Sequence, residues 1–226
     1  MQANLTNVLR QLNTLTDEKK KKFYLKQNIS EEILGINLGP LRKLAGDLGI
    51  QHPLGQELWN TNIYEARVLA TMVLDPTLLD EEDIHRLLTQ TDSKTLIDEL
   101  SFQTFERISD RKARMKHWIE DSSPKFRQAG WNMAVLLVIE KQLEKQELET
   151  LLEIIEKSLV DADVYSQFSM NRCLSEIGIH NDDLTQRCLE IAERLGVYRD
   201  WKVSKGCTSP YAVDWINVVR KKRNKV

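Results

Sequence analysis

The chain has 226 residues, 41% of them hydrophobic and 29% charged, with a formal net charge of −2. That balance excludes a low-hydrophobicity disordered chain and an integral membrane protein, and folding at this length buries roughly 70% of the surface the unfolded chain exposes. Lys and Arg total 32 against 34 for Asp and Glu, so there is no global basic excess and any polyanion must be met by a local patch. Gly at 9 and Pro at 5 are scarce, which disfavours a turn-rich sandwich or barrel and points to helix.

Cys173, Cys188 and Cys207 are odd in number and lack paired spacing, so they read as reduced thiols rather than a disulfide framework. His52, His85, His117 and His180 are scattered without ligand spacing, and neither a metal nor a cofactor is expected. No apolar run approaches the ~18 residues of a membrane span. Met1 to Asn13 lacks the order of a secretory signal, a basic stretch followed by an apolar one, so the expected location is the cytoplasm.

In chain order, residues 1–30 are expected to be helical and carry the basic run Lys19 to Lys22. From Asn62 to Val73, Ala66, Leu69, Ala70 and Val73 repeat at helical spacing, and Pro76 ends the helix. From Pro124 to Ile139 almost every face is apolar, the pattern of a helix buried all round. Its charged exceptions, Lys125 and Arg127, lie in the first turn, where cations oppose the helix dipole unless they are solvated or something anionic is close. Leu148, Leu151, Leu152, Ile155 and Leu159 form an amphipathic stripe. Leu184, Cys188, Ile191, Ala192 and Leu195 form another, started by Asp182 and Asp183 and closed by Gly196. Gly196 to Tyr211 reads as a long irregular connection before a last helix over Tyr211 to Lys222.

Helical segments begin near Asn62, Ser93, Pro124 and Val164, at separations of 31, 31 and 40 residues, close to the period of two-helix repeats. The expected fold is therefore all-α, a HEAT-like helical-repeat α-solenoid forming a single curved domain over 1–226. Its repeat array covers about 33–216, the helices of 1–30 precede it, a basic tail at 219–226 follows, and one layer lines a concave groove.

Three basic clusters stand out: Lys19 to Lys22; Arg111, Lys112, Arg114 and Lys116; and Arg220 to Arg223 with Lys225. The terminal two read as solvated ends. The middle one lies inside the array and reads either as a solvated outer face or as a phosphate-binding one. Among the five tryptophans, Trp59, Trp131 and Trp215 sit in apolar helical patterns and are expected in the core. Trp118 and Trp201 have charged neighbours, and Trp201 is the better candidate for a surface-facing aromatic, with a buried anchor for the irregular segment as the equal alternative.

Several short motifs fall in a fixed order: Leu34, Gly35 and Ile36; Leu41 to Leu44; Leu58 and Trp59; Tyr64 to Ala70; Leu96, Ile97 and Asp98; Arg127, Gln128 and Ala129; Cys173 to Glu176. In that order and spacing, from about Ile33 to Ile216, the chain resembles the AlkD family of alkylpurine DNA glycosylases, HEAT-like-repeat DNA alkylation repair enzymes. The resemblance implies a Trp-x-x-x-Asp arrangement in which an aspartate, here Asp98, faces the deoxyribose of a damaged nucleotide while tryptophans from two helices hold the sugar. A cationic N3- or N7-alkylpurine is already a good leaving group, so one carboxylate that stabilises the oxocarbenium sugar and orients a water suffices.

The position four residues before Asp98 is Lys94, and the second tryptophan position, before Cys173, is Arg172. Exchanging stacking surfaces for cations removes sugar contact and adds phosphate affinity. A plain helical reading of Asp98 is a surface carboxylate or an i, i+4 partner of Lys94.

Resemblance, departures and basic cluster together lead to the expectation of a monomeric protein that binds duplex, damaged or distorted DNA through Lys94, Arg111, Lys112, Arg114, Lys116, Arg127 and Arg172, with base excision in doubt. One alternative is an active glycosylase with Asp98 as the catalytic carboxylate. Another is a helical scaffold for a protein partner.

Overall fold

The computed structural model describes residues 4–27, 29–204 and 206–223, and these are built from α-helices. Lys225, which the sequence singles out, lies outside the described residues. Among the described residues the one β feature is an isolated bridge between Glu32 and Ile63. Two compact units divide the chain, Met1–Arg111 and Lys112–Val226.

The first unit contains α1 (Leu5–Thr14), α2 (Glu18–Tyr24), α3 (Leu38–Leu48), α4 (His52–Asn60), α5 (Tyr64–Val73), α6 (Glu81–Thr89) and α7 (Lys94–Glu99). Short polar residues start them: the side chains of Asn4, Asp17, Asp80 and Ser93 accept the N–H groups of Asn7, Lys20, Asp83 and Leu96. The expected helix from Asn62 begins two residues later, because Asn62 takes a left-handed turn at φ 57°. It ends at Val73, and Pro76 opens a short 3-10 turn.

α5 is the centre of this unit, buried on nearly every side and packed on α3 and α4. Two buried charges on it account for the motifs in the sequence. The Glu65 carboxylate accepts the N–H groups of Leu34, Gly35 and Ile36 at 2.9, 2.6 and 3.0 Å, closing the segment before α3 onto α5. Gly35 makes this possible at φ +89°, where a Cβ would stand 2.5 Å from the Cβ of Lys21. Two residues on, Arg67 donates to the Glu31 carboxylate at 2.9 Å and to the Trp59 and Gln90 carbonyls, while the Thr91 hydroxyl donates to the same Glu31 oxygen at 2.6 Å. Every charged group in the network thus has a partner, the condition for burying it.

The second unit contains α9 (Pro124–Ile139), α10 (Lys145–Ser158), α11 (Ser166–His180), α12 (Asp182–Leu195) and α13 (Ala212–Arg223), and α8 (Arg111–Trp118) leads into it from the last residue of the first. α9 has the expected bounds and is buried on almost every face, packed along α11. Gly178 on α11 leaves room for α12 and α13: a Cβ there would stand 2.7 Å from Ile216 and 3.0 Å from Cys188. Gly196 caps α12 in the left-handed conformation, as its position predicts.

Trp59 and Trp131 are core residues, and Trp118 is buried as well, edge-on to Phe126 at 5.3 Å. Trp215 is half-buried on α13. The basic C-terminal run is exposed at Lys221, Lys222 and Arg223, as a solvated end is, but its arginines are also anchored. Arg220 pairs with Asp182 at 2.8 Å, and Arg220 and Arg223 donate to the Ile179 carbonyl, neutralising the dipole end of α11 and fastening α13 to it. No helix of the described residues is long and apolar enough to cross a membrane.

Candidate functional site

Asp98 sits on α7, half-buried, one turn after the exposed Lys94 at the helix start. Directly beyond Glu99 the chain widens into a π-helical turn, Leu100–Thr104. Such turns reorient the side chains around them and concentrate at functional sites. This one is held by the Ser101 hydroxyl donating to Ile97 and the Thr104 hydroxyl donating to Thr71.

Next to Asp98 is a carboxylate that the sequence does not single out. Burial raises the Glu99 carboxyl above its ordinary range and the Asp98 charge adds to this, while Arg42 and a hydrogen bond with Gln103 pull it back. Glu99, Thr95, Tyr24, Tyr64 and Lys20 line a cavity of about 260 Å³. The two tyrosine rings are 5.0 Å apart. Burial pushes the Tyr24 phenol up to about 12, and the Lys20 ammonium lies over the Tyr24 ring at 4.3 Å. Only tertiary folding joins α2, α5 and α7 here, so no local pattern announces the cavity.

The basic cluster of α8 divides in two. Lys112 and Lys116, one turn apart, both grip Glu147 on α10, at 2.6 and 2.8 Å. Burial opposes ionisation of Glu147, but the hydrogen bonds from Lys112, Lys116 and the Glu144 N–H outweigh it and hold the carboxyl down at about 2. Arg114 lies about 200° around the helix from Lys112 and places its guanidinium 5.8 Å from the Trp118 ring. Arg111 begins the helix, half-buried. Of the residues expected on one phosphate-binding face, then, Lys112 and Lys116 converge on a carboxylate and Arg114 turns elsewhere.

Arg127 meets the anion that its place in the first turn of α9 calls for. Its Nε and Nη2 donate to Asp163 at 3.1 and 2.9 Å, and its Nη1 donates to the Asp121 and Ser122 carbonyls. Asp163 also accepts from the Ser166 hydroxyl and the Tyr165 and Ser166 N–H groups. These bonds outweigh its burial and hold its carboxyl below the ordinary range. Arg172 lies on α11, half-buried, with Glu176 at 3.7 Å one turn on and His180 at 3.4 Å from the same carboxylate.

Cys173 and Cys188 are buried, and burial pushes both thiols up, Cys188 to about 12, away from the reactive thiolate. Cys207 is exposed. Among the described residues no group of three or more His, Cys, Asp or Glu is placed to hold a metal ion.

Residues 6–216 match the family described as DNA alkylation repair enzyme. An uncharacterized protein of Listeria innocua, Lin0241, is 26% identical over 202 residues, which cover 87% of this chain and 86% of its own. A second, Lmo0209 of Listeria monocytogenes, is 25% identical over 201 residues, with the same coverage. Among solved structures, one described as a new family of proteins related to the HEAT-like repeat DNA glycosylases with affinity for branched DNA structures superposes with a TM-score of 0.82. It is 21% identical, and the match covers 99% of this chain and 95% of that one. The fold is thus the HEAT-like helical repeat.

Proposed function

The chain belongs to the DNA alkylation repair enzyme family, and we propose that it binds DNA, branched or distorted rather than regular, by its phosphate backbone. The observation that carries this reading is the pair of cations, Lys94 at the exposed start of α7 and Arg172 on α11, at the two positions where the AlkD resemblance implies sugar-holding tryptophans. The affinity that the structural relative has for branched DNA supports the preference. Backbone contacts of this kind fix position and orientation without reading sequence.

Each unit contributes its own contacts. In the first, Lys94 meets phosphate and Asp98 stands one turn behind it. In the second, Arg172 meets phosphate, held by Glu176 at the stem side. Arg111 and Arg114 add positive field around α8, whereas Lys112 and Lys116 contribute less because Glu147 neutralises part of their charge. Arg127 serves first as a clamp on Asp163.

A second reading, release of cationic alkylpurines, is favoured by the half-buried Asp98 beside the π-turn. There the carboxylate stabilises the developing positive charge on the sugar and orients the attacking water. Without aromatic walls to hold the sugar, the carboxylate has no fixed target, and binding is the primary activity.

Equilibrium binding of a labelled four-way junction and a duplex by the wild type, Lys94→Glu and Arg172→Glu tests the reading. Both substitutions weaken binding severalfold and flatten its salt dependence; affinity unaltered by either removes the case.

A further inference from the structure

The second unit exposes an aromatic surface that the backbone contacts above do not use. Phe168 on α11 is 44% exposed and Trp201 in the irregular segment 59%. Tyr198 stands between them, its ring centroid 6.0 Å from Phe168 and 5.4 Å from Trp201, nearly perpendicular to the latter at 89°.

The arrangement is braced. The Tyr198 hydroxyl bonds Gln167 at 3.2 Å, and the Gln167 amide donates to the Leu159 and Val160 carbonyls. Tyr198 itself holds φ 64° in the left-handed region, unusual for an aromatic residue, and the Trp201 N–H closes back onto its carbonyl at 3.1 Å. The left-handed turn at Tyr198 thus sets Trp201 outward.

Cations lie close to the aromatics along the chain. Arg172 lies four residues after Phe168, on the same face of α11. The run from Arg199 to Lys202 carries two cations against one anion, Asp200. Flat π-faces standing in water beside cations suit a polyanion that offers flat π-faces of its own, which is a nucleic-acid strand with its bases unstacked.

We propose that Phe168 and Trp201 form a stacking platform for the unpaired bases at the branch point of a DNA junction, with Arg172 and Lys202 against the flanking phosphates. This rests on the DNA-binding reading and adds to it the feature of the DNA that is recognised: bases free of the helical stack. A fully paired duplex keeps its bases stacked and gains nothing from the platform.

The test compares wild type, Phe168→Ala, Trp201→Ala and Trp201→Phe on three labelled DNAs: a four-way junction, a three-way junction with unpaired bases at its centre, and a duplex. Trp201→Ala and Phe168→Ala each lower affinity for the unpaired-base junction by roughly tenfold, with the melting temperature, duplex affinity and salt slope unchanged. Trp201→Phe retains most of the binding, and 2-aminopurine placed at the branch point is quenched by the wild type and not by Trp201→Ala.

Equal losses on duplex and junction, or no loss on either, overturn the platform while leaving backbone binding in place. Failure of the wild type to bind any of the three DNAs overturns both readings. Concentration-dependent self-association that Trp201→Ala abolishes overturns the platform in favour of an interface between copies of the chain.

Discussion

Arg127 and Asp163, 36 residues apart, are joined by two hydrogen bonds from the Nε and Nη2 of the guanidinium to one carboxylate oxygen. With two further bonds to the Asp121 and Ser122 carbonyls, four of the five guanidinium N–H groups are engaged inside the protein. The residue therefore orders the start of α9 and the turn before α11.

Arg127→Ala is expected to cost about 1–2 kcal/mol of stability, since it breaks charge-assisted bonds in a partly exposed setting. Arg127→Lys recovers little of this, because an ammonium lacks the planar fork. Thermal melting is the measurement, with a drop of several degrees expected for both, and junction affinity is expected to change less than for Arg172→Glu.

The buried network of the first unit predicts a larger effect. Glu31→Ala leaves Arg67 charged, buried and short of its partner, at a cost of about 3–5 kcal/mol. Adding Arg67→Met to Glu31→Ala is expected to regain a substantial part, because the orphaned charge goes with it. Urea unfolding of the two variants beside the wild type measures this.

Glu147 supplies a pH dependence and a gain of function. Its folded-state carboxyl lies at about 2 against an ordinary 4.5, so the stability it contributes is fully present above the ordinary value and is lost as pH falls toward 2. Glu147→Gln is accordingly less stable than the wild type at pH 7, and the difference closes as pH approaches 2. The same change releases Lys112 and Lys116, so DNA affinity rises and log affinity falls more steeply with log salt, by up to about two counterions.

How much of this was legible depended on how local each signal is. α9 could be bounded to the residue because Pro124 opens an apolar pattern that covers almost every face up to Ile139, and α12 because Gly196 sits where a left-handed cap belongs. The conflict between Arg127 and the helix dipole left solvent or a nearby anion as its two resolutions, and Asp163 supplies the second; the charged neighbours of Trp201 left surface and buried anchor both open, and it is exposed. Charges across helices were another matter. That Lys112 and Lys116 meet Glu147, or that Arg220 and Arg223 reach the end of α11, depends on packing between helices far apart in sequence. The cavity around Glu99 and the pairing of Phe168 with Tyr198 were hidden for the same reason.

Asp98 separates binding from excision. Incubation with DNA containing N7-methylguanine is expected to release free base at the background rate. Asp98→Asn is expected to leave junction affinity intact or slightly higher, since it removes one negative charge beside Lys94. Release well above background that Asp98→Asn abolishes would establish excision as the activity instead.

The central claim is that this helical-repeat protein holds branched DNA through its phosphates. The most direct measurement is a titration of a labelled four-way junction and a duplex of equal length at a series of salt concentrations. The prediction is tighter binding to the junction, with log affinity falling linearly with log salt for both DNAs. No binding at low salt, or an affinity that does not change with salt, would contradict it.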